Sequence, residues 1–247
     1  IVSLVGSEMC IRDRIKTLLA VLVGLATPAA AQEFLLPQGC EGYLTIQNSS
    51  CSVSHYFRCD KDKNGEQRRA TIDEEGLSYV GHTGEEAEWL ESFHMRSGHT
   101  ERQTTVLDAM SMSELLANSV DTWDFSTDSL EIGTTQYVGF DRLTGESVEI
   151  DGVMLLRTEY ELTAFDEAGT EMWKSVGAEY VSRDWRIFIG GLSSYITPDD
   201  KFDSDDTPIE FINPGEPGYL SVNPKFGCGV EMSLNDLPLS QPILTKY

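Results

Sequence analysis

Short apolar runs broken by turn clusters, at a spacing of roughly 8–12 residues, set the fold class of this chain. That rhythm leaves little room for long helices. It points to a mostly β protein: a curved antiparallel sheet, arranged as a half-barrel, barrel or sandwich, with one or two short helices. The turn clusters are Asp62-Lys63-Asn64-Gly65, Asp73-Glu74-Glu75-Gly76, Arg142-Leu143-Thr144-Gly145 and Asp166-Glu167-Ala168-Gly169. Each joins residues that favour tight turns to a glycine able to take positive φ.

The clearest unit is a hairpin formed by residues 157–165 and 170–182. A type I turn closed by Gly169 pairs Asp166 with Thr170. Carried along the strands, this register sets Ala164 opposite Met172, Leu162 opposite Lys174, Tyr160 opposite Val176 and Thr158 opposite Ala178. Even-numbered residues then share one apolar face, and Glu159 and Glu161 point away. Tyr160, Leu162, Met172, Val176 and Tyr180 form the candidate face for an apolar ligand. Residues 185–189 read as a central strand buried on both sides, ended or bent by Gly190-Gly191.

Ser111-Met112-Ser113-Glu114 has capping-box spacing, Ser then Glu three residues on, and starts a short helix. Leu115, Leu116, Ala117 and Val120 give that helix an apolar side. Residues 85–93 are a second helix candidate, with Trp89, Leu90 and Phe93 at helical spacing. Residues 197–218 are loop-rich and hold an Asp199–Asp206 acidic cluster, and the tail beyond Asn235 reads as irregular.

Residues 15–31 have the form of a secretory signal peptide. Lys16 precedes an apolar run over residues 18–26, then come Pro28 and the small-residue signal Ala29-Ala30-Ala31. The run is too short to span a hydrocarbon core of ~30 Å. The preceding residues 1–14, IVSLVGSEMCIRDR, read as a translated sequencing adapter; a start at Met9 is the alternative. Cleavage near Ala31 leaves residues 32–247 as one disulfide-linked, β-rich domain in the periplasm or outside the cell.

Four cysteines follow the leader: Cys40, Cys51, Cys59 and Cys228. In an exported chain they suggest two disulfides, with three possible connectivities. A hairpin around Asn48-Ser49-Ser50 brings Cys40 opposite Cys59, and Cys51 is then left for Cys228. No Cys-x-x-Cys spacing supports zinc.

The formal net charge is −23. Phosphate backbones and anionic lipid head groups are repelled by such a surface, so no nucleic-acid partner is expected, and no segment is apolar enough for a membrane span. Asp60, Asp62 and Asn64, followed by Gly65, match the first half of a calcium loop. The bidentate acid of position twelve is replaced by Thr71, so calcium is a weak candidate and no other cofactor is indicated. His94 and His99 are five apart, which does not suit one helical face, though a turn would let them meet. His55 alternates with Val53 and Phe57 and reads as a hydrogen-bonded, partly buried residue. The chain has no Gly-x-Ser-x-Gly elbow, phosphate loop or dinucleotide fingerprint.

Residues 137–195, with the core YVGFDRLTGESVEIDGVMLLRTEYELTAFDEAGTEMWKSVGAEYVSRDWRIFIGG, resemble uncharacterised exported proteins of proteobacteria. The strand rhythm is also loosely similar to soluble periplasmic lipoprotein carriers, whose curved half-barrel holds acyl chains. The disulfides and short helices depart from that family, and no carrier residue maps onto this chain. Taken with the leader and the missing catalytic motifs, the leading expectation is a non-enzymatic exported binding protein whose partner is an apolar small molecule or an envelope protein. A structural or interaction domain without a pocket, or a hydrolase assembled across strands, are the alternative readings.

Overall fold

The fold is that of a computed structural model, which describes residues 32–229. The leader, the stretch before it and the tail beyond Asn235 lie outside the described residues. The structure is mostly β, as expected from the turn spacing. The N-terminal strands are β1 (Cys40–Asn48), β2 (Ser52–Cys59), β3 (Gln67–Asp73), β4 (Gly76–Thr83), β5 (Trp89–His94) and β6 (His99–Asp108). Helix α1 (Met112–Asn118) leads into β7 (Val120–Ser129), β8 (Gly133–Ile150), β9 (Val153–Phe165) and β10 (Glu171–Ser182). The chain ends with β11 (Ile187–Ile196), β12 (Lys201–Asp205) and β13 (Pro208–Ile212).

All thirteen strands form one antiparallel sheet in the order β12-β11-β10-β9-β8-β7-β6-β5-β4-β3-β2-β1-β13. It is a meander except at its ends, where β13 joins β1. The sheet is curved and no hydrogen-bonded ladder closes it, yet its two edge strands are consecutive in sequence, separated by Asp206 and Thr207 alone. Around that link Ser49 N donates to Thr207 O and Asp206 N donates to Gly191 O, so both edges are tied to one short segment. Leu44, Ile46, Tyr56 and Phe211 from one end of the sheet pack with Leu155, Ile187 and Ile189 from the other.

Both disulfides are present: Cys40 with Cys59 and Cys51 with Cys228. Cys40 and Cys59 are register partners across β1 and β2, as the hairpin reading requires. The second bridge holds a strap of residues 213–229 beside residues 32–38. Phe34 stacks on His55, Leu220 N donates to Thr45 Oγ1 at 3.0 Å and Lys225 N donates to Gln47 Oε1 at 2.9 Å.

His55 is wholly buried there, not partly buried. The Thr45 hydroxyl accepts from Leu220 and lies 3.0 Å from His55 Nδ1, so the hydroxyl proton is free to go to that nitrogen. Burial lowers the imidazole pKa to about 4. The folded state therefore binds fewer protons than the unfolded chain between pH 6.5 and 4. Stability from this group is complete above pH 6.5 and is lost as pH falls through that window, by about 3 kcal/mol at the low end. Unfolding midpoints measured from pH 7 to 4.5 should fall more steeply for wild type than for His55→Phe. Equal slopes would remove the assignment.

α1 starts where the capping box places it: Ser111 is the N-cap and accepts from Glu114 N at 3.1 Å. The reciprocal contact is made by another acid, Asp121 Oδ2, which takes the Ser111 N–H at 2.8 Å. Met112 and Leu115 are buried against Val181, whereas Val120 begins β7 and is exposed.

Four local expectations are corrected. Residues 85–93 are not helical; they contain a turn and then β5. A bulge at Leu90 puts Trp89 and Phe93 on opposite faces of β5, so their four-residue spacing reflects no shared helical side. Arg142-Leu143-Thr144-Gly145 is not a turn between strands but a bulge inside β8, with Gly145 at φ +86°. The true hairpin turn is Asp151-Gly152, with φ of 49° and 76° between Ile150 and Val153. Trp185 and Arg186 belong to the β10–β11 turn, and β11 runs on past Gly190 through a bulge at Gly191-Leu192. Residues 201–205 and 208–212, expected as loop, are the two edge strands. Pro208 is tolerated as the first residue of an edge strand, and charge along β12 discourages further pairing.

The hairpin of β9 and β10 shows how one residue redirects a face. Asp166 and Thr170 pair as expected, with Asp166 N donating to Thr170 O at 2.9 Å. Phe165 then faces Glu171, but Ala164 faces Trp173, because Met172 is bulged out. Every later pair is shifted by one: Leu162 opposite Ser175, Tyr160 opposite Gly177, Thr158 opposite Glu179. In the unshifted register Lys174 would share the apolar face with Leu162. The bulge places it on the other face, where Nζ meets Glu161 Oε1 at 2.7 Å.

Candidate functional site

A cavity of about 510 Å³ lies on the concave side of the sheet. Its apolar wall is built from Trp89, Trp123, Trp173, Tyr195 and Leu162. Trp123 packs against Phe125 at 5.8 Å between ring centres, and Trp173 against Tyr195 at 4.9 Å. Register explains the wall. Trp123 sits opposite Gly139 on β8, and a Cβ at Gly139 would overlap both the indole and the Glu161 carbonyl. The missing side chain lets the indole lie over the strand, and its Nε1 donates to Asp141 Oδ2 at 3.0 Å.

The polar end is formed by Arg69, Glu179, Asp141 and Asp206, with the Tyr56 and Tyr160 hydroxyls. The Arg69 guanidinium lies over the Tyr79 ring, 5.0 Å from its centre. Burial disfavours its charged form, but Tyr56, Tyr79 and Glu179 outweigh that and hold the charge. Burial pushes the Glu179 carboxyl well up; the Asp141 charge adds to the shift and Arg69 opposes it. Asp141 is also raised by burial, against the stabilising indole N–H. Tyr160 Oη and Ser175 Oγ are 2.8 Å apart.

Of the expected apolar face, Tyr160 and Leu162 line this cavity. Val176 and Tyr180 lie on the opposite face because of the Met172 bulge, and Met172 packs beside the cluster of Trp123, Phe125 and Leu162. The sequence reading missed Arg69, Glu179 and Asp141. Arg69 alternates with Gln67 and Thr71 on an inward face that is polar, so hydrophobic periodicity carries no trace of it.

His94 and His99 do meet: they are register partners at the β5–β6 turn, with rings stacked 4.3 Å apart. Burial, then the neighbouring His99, lowers the His94 pKa to about 4. His99 Nε2 is 3.7 Å from Glu101 Oε1, and that carboxylate is engaged by the Tyr137 hydroxyl at 2.9 and 3.0 Å. The acid is tied to its tyrosine, and neither histidine lines the cavity.

Asp62 of the calcium half-loop is gripped by Arg68 through two bonds of 2.7 and 2.8 Å. Together with Glu66 and His82 it forms the one set of three metal-ligating side chains, among the described residues, that includes no disulfide cysteine. His82 Nε2 is 2.9 Å from Glu66 Oε2, within hydrogen-bonding distance, so the side chains of the cluster engage one another. Asp60 is not part of it.

Comparisons with protein-family models, with curated proteins and with solved structures found no match to this chain. Two disulfides fit an oxidising environment, and no helix among the described residues is long and apolar enough to cross a membrane.

Proposed function

We propose that this is an exported, non-enzymatic binding protein that holds a small molecule with an apolar body on the concave face of its sheet. The aromatic-walled cavity of about 510 Å³ carries the reading. That volume lies within the range of roughly 300–1,000 Å³ usual for small-molecule sites, and the cavity sets an aromatic wall against a polar, charged end. The leader pattern and the disulfides support export to the periplasm or beyond. Calcium takes no part in this reading, since Arg68 already occupies the Asp62 carboxylate.

The test is titration with a neutral fluorescent probe, N-phenyl-1-naphthylamine, together with mass spectrometry of whatever co-purifies. Saturable fluorescence enhancement at one site, reduced by filling the cavity through Leu162→Trp, is the expected result. Absence of saturable binding, with no co-purified small molecule, overturns the proposal.

A further inference from the structure

The polar end of the cavity is unbalanced. Glu179, Asp141 and Asp206 face a single guanidinium, that of Arg69. The other two arginines at the cavity are committed elsewhere, Arg68 to Asp62 at 2.7 Å and Arg186 to Glu86 at 2.6 Å. The three carboxylates are not equivalent. Asp141 accepts the Trp123 N–H and Asp206 accepts the Ser204 hydroxyl at 2.9 Å. Glu179 lines the cavity, is half-buried and has no hydrogen-bonding partner among the described residues; burial and the neighbouring charges of Asp141, Arg69 and Asp206 act on it. A carboxylate partly withdrawn from water and without a protein donor gains from a ligand that supplies one.

Resting on the reading that the cavity holds a ligand, we infer that the ligand is cationic: an apolar or aromatic molecule whose ammonium group reaches Glu179 and Asp141. An ammonium supplies both donors and positive charge to Glu179, taking the place of the proton that burial favours there, and offsets the excess of acidic groups. Trp123, Trp173 and Tyr160 line the cavity, and aromatic rings attract a cation over an anion through their negative faces. An anionic head group would have to displace Glu179 and Tyr56 from Arg69 while facing two further acids. The net charge of −23 also draws cations towards the protein from a distance.

Three probes sharing one aromatic body separate the possibilities: 1-naphthylmethylamine, 1-naphthalenemethanol and 1-naphthoate, titrated calorimetrically at pH 7. The amine should bind at least about tenfold more tightly than the alcohol, and the naphthoate least. In Glu179→Gln the amine should lose that advantage while alcohol binding is unchanged. Burial of Glu179 raises its affinity for a proton, and Asp141 and Asp206 add to this while Arg69 opposes it. Amine binding to wild type should therefore release protons, read as a dependence of the observed heat on buffer ionisation. This measurement stands even if the variant fails to fold. Alcohol or naphthoate binding as tightly as the amine, or no proton release, overturns the cation assignment but leaves the cavity reading intact. Failure of all three probes removes both.

Discussion

Replacing Cys51 and Cys228 together by alanine is expected to lower the unfolding free energy by about 5 kcal/mol on the loop-entropy model. The bridge spans 177 residues of chain, against 19 for Cys40–Cys59, whose removal costs about 3 kcal/mol on the same model. The larger effect has a structural part as well. The strap held by Cys228 covers His55, Thr45 and Gln47, and its release exposes polar groups whose partners are strap backbone atoms. Denaturant unfolding of the two double variants measures the difference. Equal losses would show that the strap is held by packing and not by its bridge.

The second large effect is expected at Trp123. Trp123→Ala should cost about 3–5 kcal/mol, the range for deleting a large buried aromatic. The side chain is 3 % exposed and touches Trp89, Phe125 and Asp141. Trp123→Phe separates two contributions. It keeps most of the ring but leaves Asp141 without its N–H donor, which should cost about 1–3 kcal/mol and raise that carboxyl further. Urea denaturation of both variants reads the stabilities. A loss under 1 kcal/mol for the alanine variant would mean that the indole does not support the cavity wall.

Much of this architecture is legible in the sequence because each strand ends in local turn chemistry. The Asp166–Gly169 turn, the Ser111 cap and the Cys40–Cys59 pair all follow from residues close to one another in the chain. The face of β10 does not. Turn type sets the first pair, but the Met172 bulge is selected by tertiary demands: Trp173 is needed beside Tyr137, and Lys174 must reach Glu161. A single inserted residue reverses the face of everything beyond it, so an alternation argument that starts from the turn assigns Val176 and Tyr180 to the wrong side. The Asp151-Gly152 turn was readable, since Asp-Gly between apolar residues is a strong hairpin signal.

The candidate site was harder to read for a different reason. Its charged residues come from strands far apart in sequence, Arg69 on β3, Asp141 on β8 and Glu179 on β10. Periodicity reports which residues avoid water, and a polar interior gives it nothing to report. Gly139 is the nearest thing to a sequence clue. A glycine inside a long strand often marks a close approach, here by the Trp123 indole.

The placement of β12 and β13 also sets the order in which the molecule can assemble. Every ladder but one joins strands that are neighbours in sequence, and such hairpins form as soon as both arms exist. The exception is β1 with β13, whose partners lie at opposite ends of the described chain. During synthesis from the N-terminus, β1 keeps an open edge until nearly the whole sequence has emerged. Cys51 likewise waits for Cys228 while Cys40 and Cys59 stand close by. Early oxidation therefore has a wrong partner within reach, and native pairing depends on the β1–β2 hairpin joining Cys40 to Cys59 first.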